Sequence, residues 1–271
     1  MKKVLALISG LFMIFALTGC GSHGTSGSKD ADGAKGKGGT LTVGFDAGFP
    51  PFGFKDDATG EYKGFDLDAA KEVAKRAGLK YGEKAINWDS KDAELNSGQI
   101  DCIWNGFTMT GREDNYTFSK AYGNDPIIYL VKAGSGIKDV ADLKDKRALV
   151  QADSSGLQAL KSPEAKNVTD SFKSLQEVPD YMVAFQNLES GAADVIVIDK
   201  TAAKDIMKKR GADKYEILKE PLKNLQYGIG FKKGNTELRD KVQKALDEMK
   251  KDGTLKKLAE KWDIADVVIL D

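Results

Sequence analysis

From residue 41 onward the chain alternates short apolar runs with amphipathic stretches. Leu41, Val43 and Phe45 recur at every second position, as in a half-buried strand. The pattern then lengthens to a helical period. Leu67, Ala70, Val73, Ala74 and Ala77 share one face, Asp66 stands where an N-cap is expected, and Gly78 stands where a helix would stop. A second short helix is predicted over 89–97, closed by Gly98, and a strand over 100–104. Residues 194–199 (DVIVID) form a continuous β-branched run, the pattern of a parallel strand covered on both faces. Leu238, Val242, Ala245, Leu246 and Met249 mark a helix over 235–250. Leu255, Leu258, Ala259 and Trp262 mark another after Gly253. Strands alternating with helices predict an α/β architecture with parallel sheet. No internal repeat is visible, and no long linker divides residues 40–271 into two consecutive halves.

The start of the chain has a different pattern. Lys2 and Lys3 precede an uncharged, largely apolar run over 4–17. Fourteen helical residues span about 21 Å, short of the roughly 30 Å hydrocarbon core, so residues 1–19 are expected to be a signal peptide, not a permanent span. Leu17-Thr18-Gly19-Cys20 resembles the lipobox of bacterial lipoproteins, a resemblance that implies diacylglycerol on the Cys20 thiol and cleavage before it. Residues 21–39 carry seven glycines and no large apolar side chain, so 20–39 is expected to be a lipid-anchored flexible tether. A plain secretory signal with a chance cysteine is the competing reading.

Composition narrows the chemistry. The 271 residues hold 41 basic and 41 acidic side chains, and losing Lys2 and Lys3 leaves 39 basic ones. Without a basic excess there is nothing to neutralise phosphates, so no nucleic-acid partner is expected. The one histidine, His23, falls in the tether. The part expected to fold therefore lacks histidine, which removes His-based catalysis and His metal sites. Beyond Cys20 the remaining cysteine is Cys102, too few for an internal disulfide or a Cys zinc site. No cofactor and no metal are expected.

Five segments, in order, resemble the polar amino-acid-binding proteins of bacterial ABC importers, the extracellular solute-binding proteins of family 3. They are Gly44-Phe45-Asp46-Ala47-Gly48-Phe49-Pro50-Pro51-Phe52, Gly64-Phe65-Asp66-Leu67-Asp68, Asn105-Gly106-Phe107-Thr108-Met109-Thr110-Gly111-Arg112, Val150-Gln151-Ala152-Asp153-Ser154-Ser155 and Ala193-Asp194-Val195-Ile196-Val197-Ile198-Asp199. Gly228-Ile229-Gly230-Phe231-Lys232-Lys233 and Asp252-Gly253-Thr254-Leu255 match as well, so the resemblance covers about 40–262. It implies a two-lobed periplasmic-binding-protein-like fold of type II, with two strands joining the lobes. Lobe one is then expected over 40–128 plus 228–271 and lobe two over 132–225.

The resemblance also implies a site. A free amino acid offers a carboxylate and an ammonium on one carbon, and Arg matches a carboxylate best because its fork is bidentate. Arg112 is the implied carboxylate clamp, assisted by Thr108, the backbone of Gly106, and Ser154 and Ser155 from the other lobe. The spacing from the threonine to Arg112 is one residue shorter than the family pattern. Asp199, at a strand end, would take the ammonium, with capping of the following helix as the alternative. Phe49 and Trp88 would face the ligand side chain, and Asp46, Asn105 and Gln151 are candidate readers of its tip. Phe52 and Trp104 are assigned to the core, and Asp66 and Asp68 to helix capping. Asp153 stands where the family often has glycine.

The expected function is high-affinity extracytoplasmic capture of a polar L-amino acid and delivery to an ABC permease, with no chemistry on the ligand. The protein is expected to be a monomer, lipid-anchored at the cell membrane. The readings weighed against this are a cyclic amino-acid dehydratase, a ligand sensor and a quaternary-ammonium binder, each on the same fold.

Overall fold

The structure is a computed structural model describing residues 39–270. The expected signal peptide, Cys20 and the tether up to residue 38 lie outside the described residues. Among the described residues no helix is long and apolar enough to cross a membrane.

The chain opens with β1 (Thr40–Phe45), then β2 (Gly48–Phe49), β3 (Gly53–Lys55) and β4 (Tyr62–Lys63), helix α1 (Phe65–Arg76) and β5 (Lys80–Ala85). A single 3-10 turn over Trp88–Ser90 runs into α2 (Lys91–Asn96), followed by β6 (Cys102–Ile103) and β7 (Tyr116–Phe118). Next come β8 (Gly123–Lys132), β9 (Arg147–Gln151), α3 (Ser155–Leu160), α4 (Lys166–Ser171) and β10 (Ser174–Val178). They are followed by α5 (Tyr181–Ser190), β11 (Val195–Asp199), α6 (Lys200–Arg210), β12 (Tyr215–Ile217) and β13 (Lys223–Tyr227). The chain ends with β14 (Gly230–Lys232), α7 (Thr236–Lys251) and α8 (Thr254–Lys261).

Two sheets organise these elements. The first has the order β5-β1-β6-β14-β7 and the second β10-β9-β11-β8-β12, with β13 also paired to β8. A small three-stranded sheet, β2-β3-β4, sits beside the first. The chain passes from the first sheet to the second between β7 and β8. It returns between β13 and β14, so the C-terminal helices rejoin the N-terminal strands. Long β8 and β13 run antiparallel, from Lys223 opposite Ile127 to Tyr227 opposite Gly123.

Helix α1 buries Leu67, Ala70, Val73 and Ala74 as its period predicts. Its N-terminus differs from expectation. Gly64 is the N-cap and Asp66 lies inside the first turn, fully buried. Gly64 has φ 148°, and a Cβ there would come within 2.1 Å of the Phe52 carbonyl oxygen. No capping side chain therefore fits at that residue. Helix α7 starts as predicted, with the Leu238 N–H donating to the Asn235 side chain at 3.4 Å.

Strand β11 is fully buried along its length. Its pairing is mixed, however: parallel to β9 on one side and antiparallel to β8 on the other. Burial on both faces produces the apolar run whatever the direction of the neighbours, so composition did not distinguish them.

Candidate functional site

The C-terminal ends of β1, β6, β9 and β11 converge on one cavity. Its lining is Asp46, Phe49, Trp88, Asn105, Gly106, Thr108, Arg112, Gln151, Ser154, Ser155, Tyr181 and Asp199. All eleven sequence-derived candidates are brought together there, from both sheets. Strand ends are where open α/β sheets expose side chains and backbone groups free of the ladder.

On the first-sheet side, β1 delivers Asp46. Its backbone N–H donates to Asn105 Oδ1 at 3.0 Å, and its Oδ1 accepts from the Gly48 N–H at 2.7 Å. Burial pushes the Asp46 carboxyl up, against the pull of the Gly48 and Gln151 hydrogen bonds. Phe49 stacks on Phe52 with centroids 5.6 Å apart. Trp88 packs edge-on against Phe107 at 5.7 Å. Phe52 and Trp104 are fully buried and lie outside the lining.

Gly106 has φ 54°, and a Cβ would sit 2.9 Å from Phe49 Cε1. The backbone here must be glycine for the aromatic wall to close over it. The Gly106 N–H donates to Asp66 Oδ2 at 2.6 Å, and the Tyr122 hydroxyl donates to the same oxygen at 2.8 Å. Asp66 therefore braces the Gly106 turn and does not cap a helix. Burial pushes its carboxyl up to about 7. Asp68 is not a cap either: its Oδ2 accepts from Lys261 Nζ at 2.7 Å and Trp262 Nε1 at 2.9 Å.

Arg112 is 8% exposed. Its guanidinium donates to the carbonyls of Thr108 and Asp153, each at 3.3 Å, and lies 4.9 Å from the Phe107 ring centre. Among the described residues no carboxylate comes within 4 Å of it. Desolvation lowers its pKa, which marks a buried cation lacking a paired anion. This burial excludes a solvent-exposed role for Arg112.

Across the cavity, Asp199 is 2% exposed. It stands at the N-cap of α6, but its side chain makes no capping bond. Its Oδ1 instead accepts from the Tyr227 hydroxyl at 2.7 Å. Burial, and next the nearby Asp125 charge, push its carboxyl up to about 7. Ser154 caps α3, its Oγ accepting from the Leu157 N–H at 3.2 Å, and Ser155 follows it into the helix.

Besides the Arg112 bond to the Asp153 carbonyl, three side-chain contacts join the second sheet to the first. Gln151 Nε2 donates to Asp46 Oδ2 at 2.5 Å, Gln158 Nε2 donates to the Gly111 carbonyl at 3.1 Å, and Lys91 forms an ion pair with Asp153. Lys91 is 1% exposed, and its ammonium also lies 5.4 Å from the Trp88 ring centre. Asp153 has φ 53°, a conformation Asp tolerates better than most side chains.

The sequence reading missed Tyr181, Lys91, Asp125 and Tyr227. Tyr181 reads as an ordinary core aromatic at a helix start, yet its hydroxyl is buried in the lining without a partner. Thr108 Oγ1 and Asn105 Nδ2 are likewise buried and unpartnered. Such orphans in a closed cavity are satisfied by what enters it. Among the described residues no cluster of three or more metal-ligating side chains exists.

Residues 41–264 match the family model of bacterial extracellular solute-binding proteins, family 3. The chain belongs to that family. The chain is 35% identical over 269 residues, 97% of both chains, to the L-cystine-binding protein TcyA of Bacillus subtilis. Among solved structures it resembles an ancestral arginine-binding protein bound to arginine, at 40% identity and TM-score 0.75. That likeness covers 83% of this chain and 98% of the other. It also resembles the ancestral amino acid-binding protein AncCDT-1, a precursor of cyclohexadienyl dehydratase, at 35% identity and TM-score 0.74. Here the coverage is 83% of this chain and 96% of the other. As a family 3 member the protein has the two-lobed type II fold, and its chain crosses between the two main sheets twice, between β7 and β8 and between β13 and β14.

Proposed function

We propose that Arg112 and Asp199 grip the two charged ends of one polar L-amino acid. As a solute-binding protein of this family, the chain captures an amino acid outside the cytoplasm for an ABC importer permease. One observation carries the residue assignment: a buried guanidinium without a carboxylate partner and a buried carboxylate share a single cavity. An amino acid would supply the missing anion to Arg112 and a cation to Asp199, and burial strengthens both pairs once each is complete. Thr108 Oγ1, the Gly106 backbone, Ser154 and Ser155 surround the carboxylate.

Phe49 and Trp88 flank the ligand side chain. Its tip meets Asp46, Asn105, Gln151 and Tyr181, a set that offers a carboxylate acceptor beside unpartnered donors and so favours a polar group. L-Cystine, L-arginine and L-glutamine are therefore the first candidates. The lobes divide as 40–128 plus 228–271 and 132–225, and they close by a hinge at β8 and β13. The protein acts as a monomer, binds without turnover, and is held at the membrane through lipid on Cys20.

A thermal-shift screen of the purified protein against the common amino acids and cystine tests the ligand class, because a ligand specific for the folded state raises the melting temperature by mass action. A shift with a few polar amino acids supports the reading; no shift with any refutes it. Turnover of prephenate by the purified protein would refute the assignment as a binder.

A further inference from the structure

Tyr227 Oη lies 2.7 Å from Asp199 Oδ1 and 3.0 Å from Asp125 Oδ2. A phenol has one proton to donate. Asp125 is already served by Thr201, whose N–H donates to Oδ2 at 3.0 Å and whose hydroxyl donates to Oδ1 at 2.9 Å. Asp125 and Asp199 are each 2% exposed and Tyr227 is fully buried, so water does not screen them. With both carboxylates ionised, one would face the lone pairs of the phenol oxygen. A proton shared by the two carboxyl groups removes that conflict: one Asp donates to Tyr227 while Tyr227 donates to the other.

The surrounding charges come from several elements. Arg112 acts on Asp199 from the opposite cavity wall. Lys200 of α6 acts on Asp125. Tyr181 of α5 feels Asp199 and also Asp46 behind it. Tyr122 stands with its ring 6.4 Å from that of Tyr227, its hydroxyl committed to Asp66. None of these places a cation in hydrogen-bond contact with either carboxylate. Burial accordingly holds Asp125 up at about 6 and Asp199 at about 7.

We propose that Asp125 and Tyr227 are positioning residues for Asp199: in the free protein the two carboxyl groups share one proton, and the ammonium of an incoming amino acid displaces it. This rests on Asp199 being the ammonium partner. The balance is simple. The amino acid enters as a zwitterion, the carboxyl O–H of the pair ionises, and its proton passes to the buffer. No covalent bond to the ligand forms. Because β8 and β13 carry Asp125 and Tyr227, the protonation of the site is written into the strands that join the lobes.

The test is calorimetry at about pH 6 with L-cystine, L-arginine and L-glutamine, each titrated into the full-length protein in phosphate and in Bis-Tris. The expected result is a buffer-dependent heat that reports release of about 0.5–1 proton per bound amino acid, falling toward zero near pH 9. Asp125→Asn should abolish most of the release and flatten the change in Kd between about pH 6 and pH 8. Binding with buffer-independent heat at pH 6 overturns the proposal and leaves the ligand reading intact; no binding by these three or by any other common amino acid overturns both. Carbon-13 NMR of the aspartate carboxyls in the free wild-type protein needs no variant to fold. One carboxyl of the pair should stay protonated above about pH 6; both titrating near pH 4 overturns the proposal.

Discussion

The side-chain amide of Gln151 donates to Asp46 Oδ2 at 2.5 Å. This bond ties the last residue of β9, in the second sheet, to the residue that follows β1, in the first. It joins the two walls of the cavity at the end assigned to the ligand side chain. A hydrogen bond to a charged acceptor contributes about 1.5–3 kcal/mol. Gln151→Ala should therefore weaken amino-acid binding by about 10-fold or more through loss of closure, with each lobe still folded. Calorimetry together with a small-angle scattering profile checks this. Unchanged affinity would mean that closure does not depend on the bond.

Arg112 should oppose stability while serving binding. Its guanidinium is buried without an ion pair, and that arrangement costs free energy in the unliganded protein. Arg112→Met should raise the melting temperature of the free protein and weaken amino-acid binding by at least about 100-fold. A gain of about 1 kcal/mol corresponds to ~2–4 °C in a domain of this size. Differential scanning calorimetry with and without L-arginine reads both effects. A lower melting temperature with retained binding contradicts the assignment.

The pH dependence has a defined sign. Asp66 and Asp199 both have carboxyls raised to about 7 from an ordinary value of 3.8. Between these values the folded protein holds protons that the unfolded chain has lost. Stability contributed by these groups is full below about pH 4 and is lost as pH rises through about 7. The surface carboxylates Asp56 and Asp252 are lowered to about 2, so their opposite contribution disappears only below pH 4. The free protein should melt higher at pH 5 than at pH 8, and Asp66→Asn should reduce the difference. Equal melting temperatures at the two pH values would contradict the buried protonated state.

Much of this arrangement was legible in the sequence because the residues concerned are constrained by local patterns. Asp46 follows the alternating strand β1 and Asp199 ends the continuous apolar run of β11, so those two strand ends were legible, whereas Gly106, Arg112 and Gln151 came from the family resemblance. The resemblance to a family then supplied the chemistry at those ends. What escaped depends on contacts between distant segments. The sequence assigns Lys91 no role, because its ion-pair partner Asp153 lies far along the chain. It assigns Asp125 none either, because its partners Thr201 and Tyr227 lie far along the chain from the ten-residue strand that carries it. Asp66 carries the signature of a cap, but the capping position is taken by Gly64, whose backbone passes too close to Phe52 for a side chain.

Trp88 sits in the cavity wall between Phe107 and the Lys91 ammonium. A variant retaining Trp88 alone, with Trp104 and Trp262 replaced by Phe, should change its emission when an amino acid binds. A spectrum indifferent to saturating L-cystine, L-arginine and L-glutamine, in a variant that still binds one of them by calorimetry, would remove Trp88 from the ligand contacts.

Cys20→Ser should release the protein from the membrane into the medium, because lipid chains contribute about 0.8 kcal/mol per buried methylene and nothing else in the proposed anchor replaces them. Membrane fractionation of the wild type and the variant checks this. Retention of the variant in the membrane fraction would contradict lipid anchoring.

The grip on both ends of one zwitterion is tested most directly by blocking those ends on the ligand and leaving the protein untouched. Isothermal titration compares L-arginine and L-glutamine with their methyl esters and Nα-acetyl derivatives, and L-cystine with its dimethyl ester. An ester cannot supply the anion to Arg112, and an acetylated amine cannot supply the cation to Asp199. Each blocked form should bind at least about 100-fold more weakly than its parent, the consequence of leaving one buried charge unpaired. Blocked forms that bind as tightly as the free amino acid would show that Arg112 and Asp199 do not hold its two charged ends.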